Sequence, residues 1–140
     1  MLDTKALIEQ AIAAMSHAYT PYSGFQVGAA LLAKNGTVYQ GCNIENAAYT
    51  PCNCAERTAF FKAVSEDIRD FQAICVVGGK DGILTDYTAP CGVCRQVMME
   101  FCDPNEFQII LATDTENYQI FTLKELLPMG FGPANLKANE

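Results

Sequence analysis

Two short segments, TPCNCAERTA at 50–59 and PCGVCRQ at 90–96, put four of the chain's seven cysteines beside charged residues, at the starts of two expected helices. No other feature constrains the fold as much, because thiols placed this way must pair, hold a metal or react. Seven is an odd number, so an oxidising compartment would leave one thiol unpaired. In a reducing cytosol, clustered cysteines point instead to metal binding or catalysis. Taken alone, Cys91-x-x-Cys94 fits either a redox pair at a helix N-terminus or half of a zinc site.

The rest of the chain gives these segments a frame. Asp3 or Thr4 can cap a first helix, in which Leu7, Ile8, Ala11, Ile12 and Met15 share one face. Pro21 and Gly24 end that stretch. FQVGAALLAKNGTVYQGCN reads as two strands joined at Asn35-Gly36, a strong hairpin signal. IENAAYTPCN is a loop, and CAERTAFFKAVSE is a helix with Asn53 available as its cap. FQAICVVGG has the apolar, β-branched content of a buried strand. A second cysteine-led helix follows Pro90. EFQIILAT and YQIFTL are strands, LKELL a short helix, and PMGFGPANLKANE an irregular tail. With 140 residues, no repeat and no linker, the pattern predicts one domain over 1–140, an α/β sandwich around a mixed sheet.

CAE at 54–56 changes the weight of the second cysteine segment. It opens a helix with a thiol and carries a carboxylate two residues later. If the two helix N-termini face each other, Cys54, Cys91 and Cys94 give three thiolates and leave one coordination position open. That is the pattern of a catalytic zinc site, in which the metal lowers the pKa of a bound water towards about 7. Helix N-termini offer N–H groups and positive dipole ends to the sulfurs. Arg57 and Arg95 each closely follow a cysteine and can donate to thiolates. Glu56 is not needed as a ligand and suits a proton shuttle beside activated water.

These segments resemble the zinc deaminases, whose signature is His-x-Glu followed by Pro-Cys-x-x-Cys, with an all-cysteine variant. PYSGFQVGAAL, GCNIENAAY, CAERTA, PCGVCRQ and LLPMGFGP together are similar to the small homotetrameric cytidine deaminases, over about residues 20–133. The resemblance implies a three-layer α/β/α sandwich with a five-stranded sheet and one Zn2+ per chain. The reaction it implies is hydrolytic deamination of cytidine and 2′-deoxycytidine, with Glu56 protonating ring nitrogen 3 and then the leaving amine. Asn43 and Glu45 match the ribose-binding pair, and an amide beside a carboxylate suits a neutral sugar's hydroxyls. Phe25 matches the aromatic bordering sugar and base, and Ala55 falls among the substrate-binding positions. Tyr49 and Phe131 match residues supplied across subunit interfaces of a homotetramer, so the tail from about 128 is expected to cover an active site. The resemblance also chooses Cys54 over Cys52 as ligand, since Cys52 lies at a position that is not a ligand in the family.

Other readings remain in view. A deaminase of a blasticidin-type antibiotic would not need the ribose pair. A structural zinc module would need a fourth ligand, for which Cys52 is the candidate, and a thiol redox protein would use Cys91 and Cys94. Cys42, Cys75 and Cys102 are simplest as core residues, with Cys42 a candidate for the site wall, and His17 lies outside every cluster. The net charge of −7, with nine scattered Lys and Arg, argues against polymeric nucleic acid as a partner. No apolar run approaches the roughly 20 residues of a membrane span. A cytoplasmic protein acting on a small nucleoside is the expectation.

Overall fold

The computed structural model describes residues 2–137. Helix α1 (Thr4–Met15) is capped by Asp3, whose carboxylate accepts from the Ala6 N–H at 3.1 Å. Strands β1 (Phe25–Ala33) and β2 (Val38–Cys42) form the expected hairpin, and Gly36 at its tip adopts φ +93°, a region that glycine enters freely. Helix α2 (Ala55–Ser65), strand β3 (Phe71–Lys80) and helix α3 (Gly92–Phe101) follow. Strands β4 (Gln108–Ala112) and β5 (Tyr118–Thr122) lead into two short helices, α4 (Leu123–Leu126) and α5 (Pro133–Leu136).

The five strands make one sheet in the order β2-β1-β3-β4-β5. Only the β3/β4 pair is parallel, and α3 provides the crossover that such a pair requires. Side chains alternate across the sheet as the strand period of two demands. Ala29, Leu31, Ile74, Val76, Ile109 and Leu111 face α2 and α3, whereas Ala30, Ala73, Cys75, Val77, Ile110 and Ala112 face α1. The register aligns these sets, with Leu31 opposite Ile74 and Ile74 opposite Ile109. The result is the three-layer sandwich.

The topology also fixes where the two cysteine-led helices begin. Strands β2 and β3 are both antiparallel to β1, so they run parallel to each other and end at the same edge of the sheet. Helices α2 and α3 are the next helices after β2 and β3, and both start near that edge. Helix α2 is drawn tightly onto β2, because Gly41 has no side chain: a Cβ there would lie 2.3 Å from the Ala55 carbonyl oxygen. Its lower half is anchored by Phe60, which packs against Phe71 at 5.0 Å between ring centres and stacks with Phe101 at 6.2 Å.

Two expectations about elements are corrected. Asn53 does not cap α2. It is bridged to Ile44 by two backbone hydrogen bonds of 2.9 Å, and its side chain donates to Thr58 Oγ1, so the cap position falls to Cys54. The tail is not wholly irregular, since Pro133 starts a single helical turn and Asn135 Oδ1 accepts from the Gly132 N–H at 2.9 Å.

Candidate metal centre and cavity

Cys54 is the N-cap of α2 and Cys91 the N-cap of α3, so both sulfurs lie where backbone N–H groups are unpaired. Cys91 Sγ accepts from the Cys94 N–H at 3.5 Å, and Cys94 sits in the first turn of the same helix. The sulfurs of Cys54 and Cys91 are 3.6 Å apart, those of Cys91 and Cys94 3.5 Å, and all three lie within 4.8 Å of one another. Three sulfurs at about 2.3 Å from a tetrahedral zinc would be about 3.8 Å apart, so the cage fits that ion in size as well as donor chemistry. It is the one such cluster of ligating side chains among the described residues.

The charge of the cage is tuned from one side. Arg57 Nη2 donates to Cys54 Sγ at 3.3 Å. The Cys94 thiol and, after it, the Arg57 guanidinium hold the Cys54 thiol down to about 5, against the opposing effect of burial. The same pairing, together with burial, pushes Cys94 the other way. Arg95 does not share this task, contrary to its place in the sequence. Its Nε donates to the Pro90 carbonyl at 2.7 Å and its Nη1 to the Leu126 carbonyl at 2.6 Å, so it ties the start of α3 to the end of α4. Residue spacing places a Cα, and a side chain as long as arginine can then leave in either direction.

Glu56 is only 4% exposed, because it lies on the buried face of α2 with Ala59, Phe60 and Ala63. Burial pushes its carboxyl up to about 7, and the negative Cys54 thiolate adds to the effect. A bound dication would oppose both. Glu56 borders a cavity of about 280 Å³ that also contains Cys54, Cys91, Asn43, Glu45 and Ala55, so metal cage, carboxylate and expected sugar pair share one space.

The expected sugar ligands are themselves held firmly. Asn43 Oδ1 accepts from the Val27 N–H at 2.9 Å, and its Nδ2 donates to the Phe25 carbonyl at 2.8 Å. Glu45 receives N–H groups from Tyr22 and Ser23 and the Ser23 hydroxyl. Phe25 (39% exposed), Tyr49 (71%) and Phe131 (58%) stand outside the cavity wall of the single chain. Tyr49 is held at φ +63° with its ring edge-on to Tyr22, and the Phe131 carbonyl accepts from Gln96 Nε2 at 2.7 Å. Cys52 lines the cavity but is not in the cage. Its sulfur accepts from the Asn46 N–H at 3.2 Å and so closes the loop between the sugar pair and Cys54. Among the described residues, no fourth ligand of a closed structural site joins the cage. Cys42 faces a different, smaller cavity with His17 and Lys62 rather than the site wall.

Sequence reasoning passed over Val27, Ile44, Thr88 and Ala89, which also line the wall. Thr88 and Ala89 directly precede Pro90, so their neighbourhood to a ligand loop was the available signal. Val27 looked like one more strand residue.

The comparisons with known proteins agree with this geometry. A family model described as the cytidine and deoxycytidylate deaminase zinc-binding region matches residues 1–110. The cytidine deaminase of Sporosarcina psychrophila is 47% identical over 135 residues, covering 96% of each chain. That of Halalkalibacterium halodurans is 51% identical over 130 residues, covering 93% of this chain and 95% of the relative. A crystal structure of cytidine deaminase from Burkholderia pseudomallei superposes with a TM-score of 0.84 at 46% identity, covering 93% of this chain and all of that one.

Proposed function

The chain belongs to the cytidine and deoxycytidylate deaminase family, and from that premise we propose that it hydrolyses cytidine and 2′-deoxycytidine to uridine and 2′-deoxyuridine with release of ammonia. One observation carries the reading: Cys54 and Cys91 of the three-thiol cage, the buried Glu56 and the Asn43/Glu45 pair line the same cavity. A redox dithiol needs neither Glu56 nor a sugar pair, and an antibiotic deaminase needs no ribose site.

Cys54, Cys91 and Cys94 would hold the zinc, which when bound would supply the Lewis acidity that activates water at neutral pH. Arg57 offsets part of the thiolate charge at Cys54, which would lower the electron donation of that sulfur to a bound metal. Glu56 takes a proton from the attacking water and delivers it to ring nitrogen 3, then takes the second proton from the new hydroxyl on the ring carbon as that becomes the carbonyl and hands it to the departing amine. Its burial beside the cage keeps the carboxylate away from bulk water, so a proton it takes is handed on within the site. Asn43 and Glu45 orient the nucleoside through its sugar, so that the ring carbon bearing the amine reaches the cage.

The setting follows as part of the same proposal. The enzyme acts in the cytoplasm on a free nucleoside and assembles as a homotetramer with shared active sites. The exposure of Tyr49 and Phe131 supports the sharing, since both aromatics match interface positions and neither is covered by its own chain. Among the described residues, no helix is long and apolar enough to cross a membrane. The function is tested by measuring steady-state ammonia release from cytidine together with zinc content. About one zinc per chain with turnover on cytidine and 2′-deoxycytidine, and little on free cytosine, is expected. Zinc without turnover on either nucleoside would overturn the reading.

A further inference from the structure

Glu45 is the most heavily hydrogen-bonded carboxylate in the cavity wall, and its partners all come from one turn. Oε1 accepts the Tyr22 N–H at 3.0 Å and the Ser23 N–H at 3.1 Å. Oε2 accepts the Ser23 hydroxyl at 2.5 Å. The Ser23 hydroxyl is not free to choose its direction. Its oxygen accepts the Phe25 N–H at 3.0 Å, so its single proton goes to Glu45, and the Ser23 carbonyl is held by Lys80 Nζ at 2.5 Å.

A carboxylate has about four acceptor positions, two on each oxygen. Three are filled, and the remaining one is on Oε2, the oxygen that Ser23 orients. Asn43 is used in a complementary way. Val27 and Phe25 of β1 take one acceptor position and one N–H, leaving one of each. Lining one cavity, the pair therefore offers one N–H donor, from Asn43, and two acceptor positions, of which the one on Glu45 belongs to a group that can only accept. A single hydroxyl satisfies both at once, accepting from Asn43 and donating to Glu45.

We propose that Ser23 is a positioning residue for sugar recognition: its hydroxyl fixes the one open acceptor position of Glu45 so that the enzyme reads one particular sugar hydroxyl, an inference that rests on the nucleoside-deaminase function above. The Ser23 hydrogen bond is also the leading cause that holds the Glu45 carboxyl below the ordinary range, which keeps it an acceptor. Without the hydroxyl, Oε2 has two open positions and only the two backbone N–H bonds to Oε1 direct the carboxylate. The penalty for lacking the matching sugar hydroxyl then shrinks, because that penalty comes from leaving a site group unpaired.

The test uses the zinc-loaded enzyme with cytidine and its 2′-, 3′- and 5′-deoxy analogues as substrates. The native enzyme should discriminate sharply against one analogue. In Ser23→Ala, kcat/KM for cytidine should fall about 10- to 100-fold, while the value for that analogue falls far less, so the discrimination ratio collapses. Zinc content should stay native, and Ser23→Thr should restore the ratio. A merely structural turn residue would lower all four substrates together. Equal losses on every substrate, an unchanged ratio in Ser23→Ala, or no rescue by threonine would each overturn the role of Ser23. A native enzyme without turnover on any of the four would overturn the deaminase function, and this inference with it.

Discussion

Glu56 and Cys54 are two positions apart at the start of α2, yet they face different tasks because one is a cap and the other begins the buried face of the helix. Glu56→Gln keeps the volume and removes the proton carrier. It should retain zinc and the fold while turnover falls by at least about 10²–10⁴-fold, measured by ammonia release beside metal analysis. Near-native turnover would remove the shuttle role. Cys54→Ser, Cys91→Ser and Cys94→Ser should each lose zinc and unfold at lower temperature, because metal binding adds to the stability of the folded state. Cys52→Ser should keep zinc, since its sulfur serves the Asn46 N–H rather than the cage and a hydroxyl can accept the same bond. Loss of zinc from Cys52→Ser would exchange the two cysteines' roles. The choice between them was legible in the sequence because only Cys54 has a carboxylate at the right spacing on the coming helix. The turning away of Arg95 was not legible, since its partners are carbonyls of Pro90 and of Leu126, 31 positions distant.

Helix α2 owes its position to two contacts of opposite kind. Phe60 pulls its lower half into the aromatic cluster, and Gly41 allows its first turn to touch β2. Gly41→Ala would set a Cβ 2.3 Å from the Ala55 carbonyl oxygen and 2.6 Å from the Ala59 nitrogen, so the helix must shift. A loss of about 1–3 kcal/mol is expected for such overpacking. The more telling result is reduced zinc occupancy, because the shift moves Cys54 and Glu56 relative to α3. Gly36→Ala serves as the contrast. No atom lies near a Cβ there, but φ is +93°, so stability should fall through backbone strain with zinc unchanged. Calorimetric unfolding and metal analysis of the two variants separate these outcomes, and equal zinc in both would dismiss the link between Gly41 and the site. At this scale the sequence was readable wherever periodicity or turn chemistry was strong, as in α1, the Asn35-Gly36 hairpin and β3. It misled at Asn53, where a backbone bridge to Ile44 outcompeted the capping role that local propensity allows. It was silent on α5, because one turn of four residues is too short to show a helical period.

At the scale of the whole molecule, the open matter is what covers the mouth of the cavity. Phe131 lies between Gly130 and Gly132, two positions after Met129 at φ +54°, so the tail presents its ring from irregular backbone rather than from an element with a face of its own. Phe131 is 58% exposed, although its carbonyl is fixed by Gln96. A core role would make truncation cost about 3–5 kcal/mol. The observed exposure predicts instead that Phe131→Ala leaves thermal stability and zinc near native. If the ring covers a neighbouring chain's site, as proposed for the tetramer, the same change should weaken nucleoside binding, since a stacked ring contributes about 0.5–1.5 kcal/mol beyond its buried area. Sharing between chains has its own signature. Glu56→Gln chains and Phe131→Ala chains are both impaired alone, but a mixed tetramer contains some sites that combine an intact Glu56 from one copy with an intact Phe131 from another. Mixing them under conditions of confirmed subunit exchange should therefore regain activity above the sum of the two parents. No regain, or full activity sedimenting as a monomer, would mean that each chain completes its own site and that Phe131 is exposed for another reason.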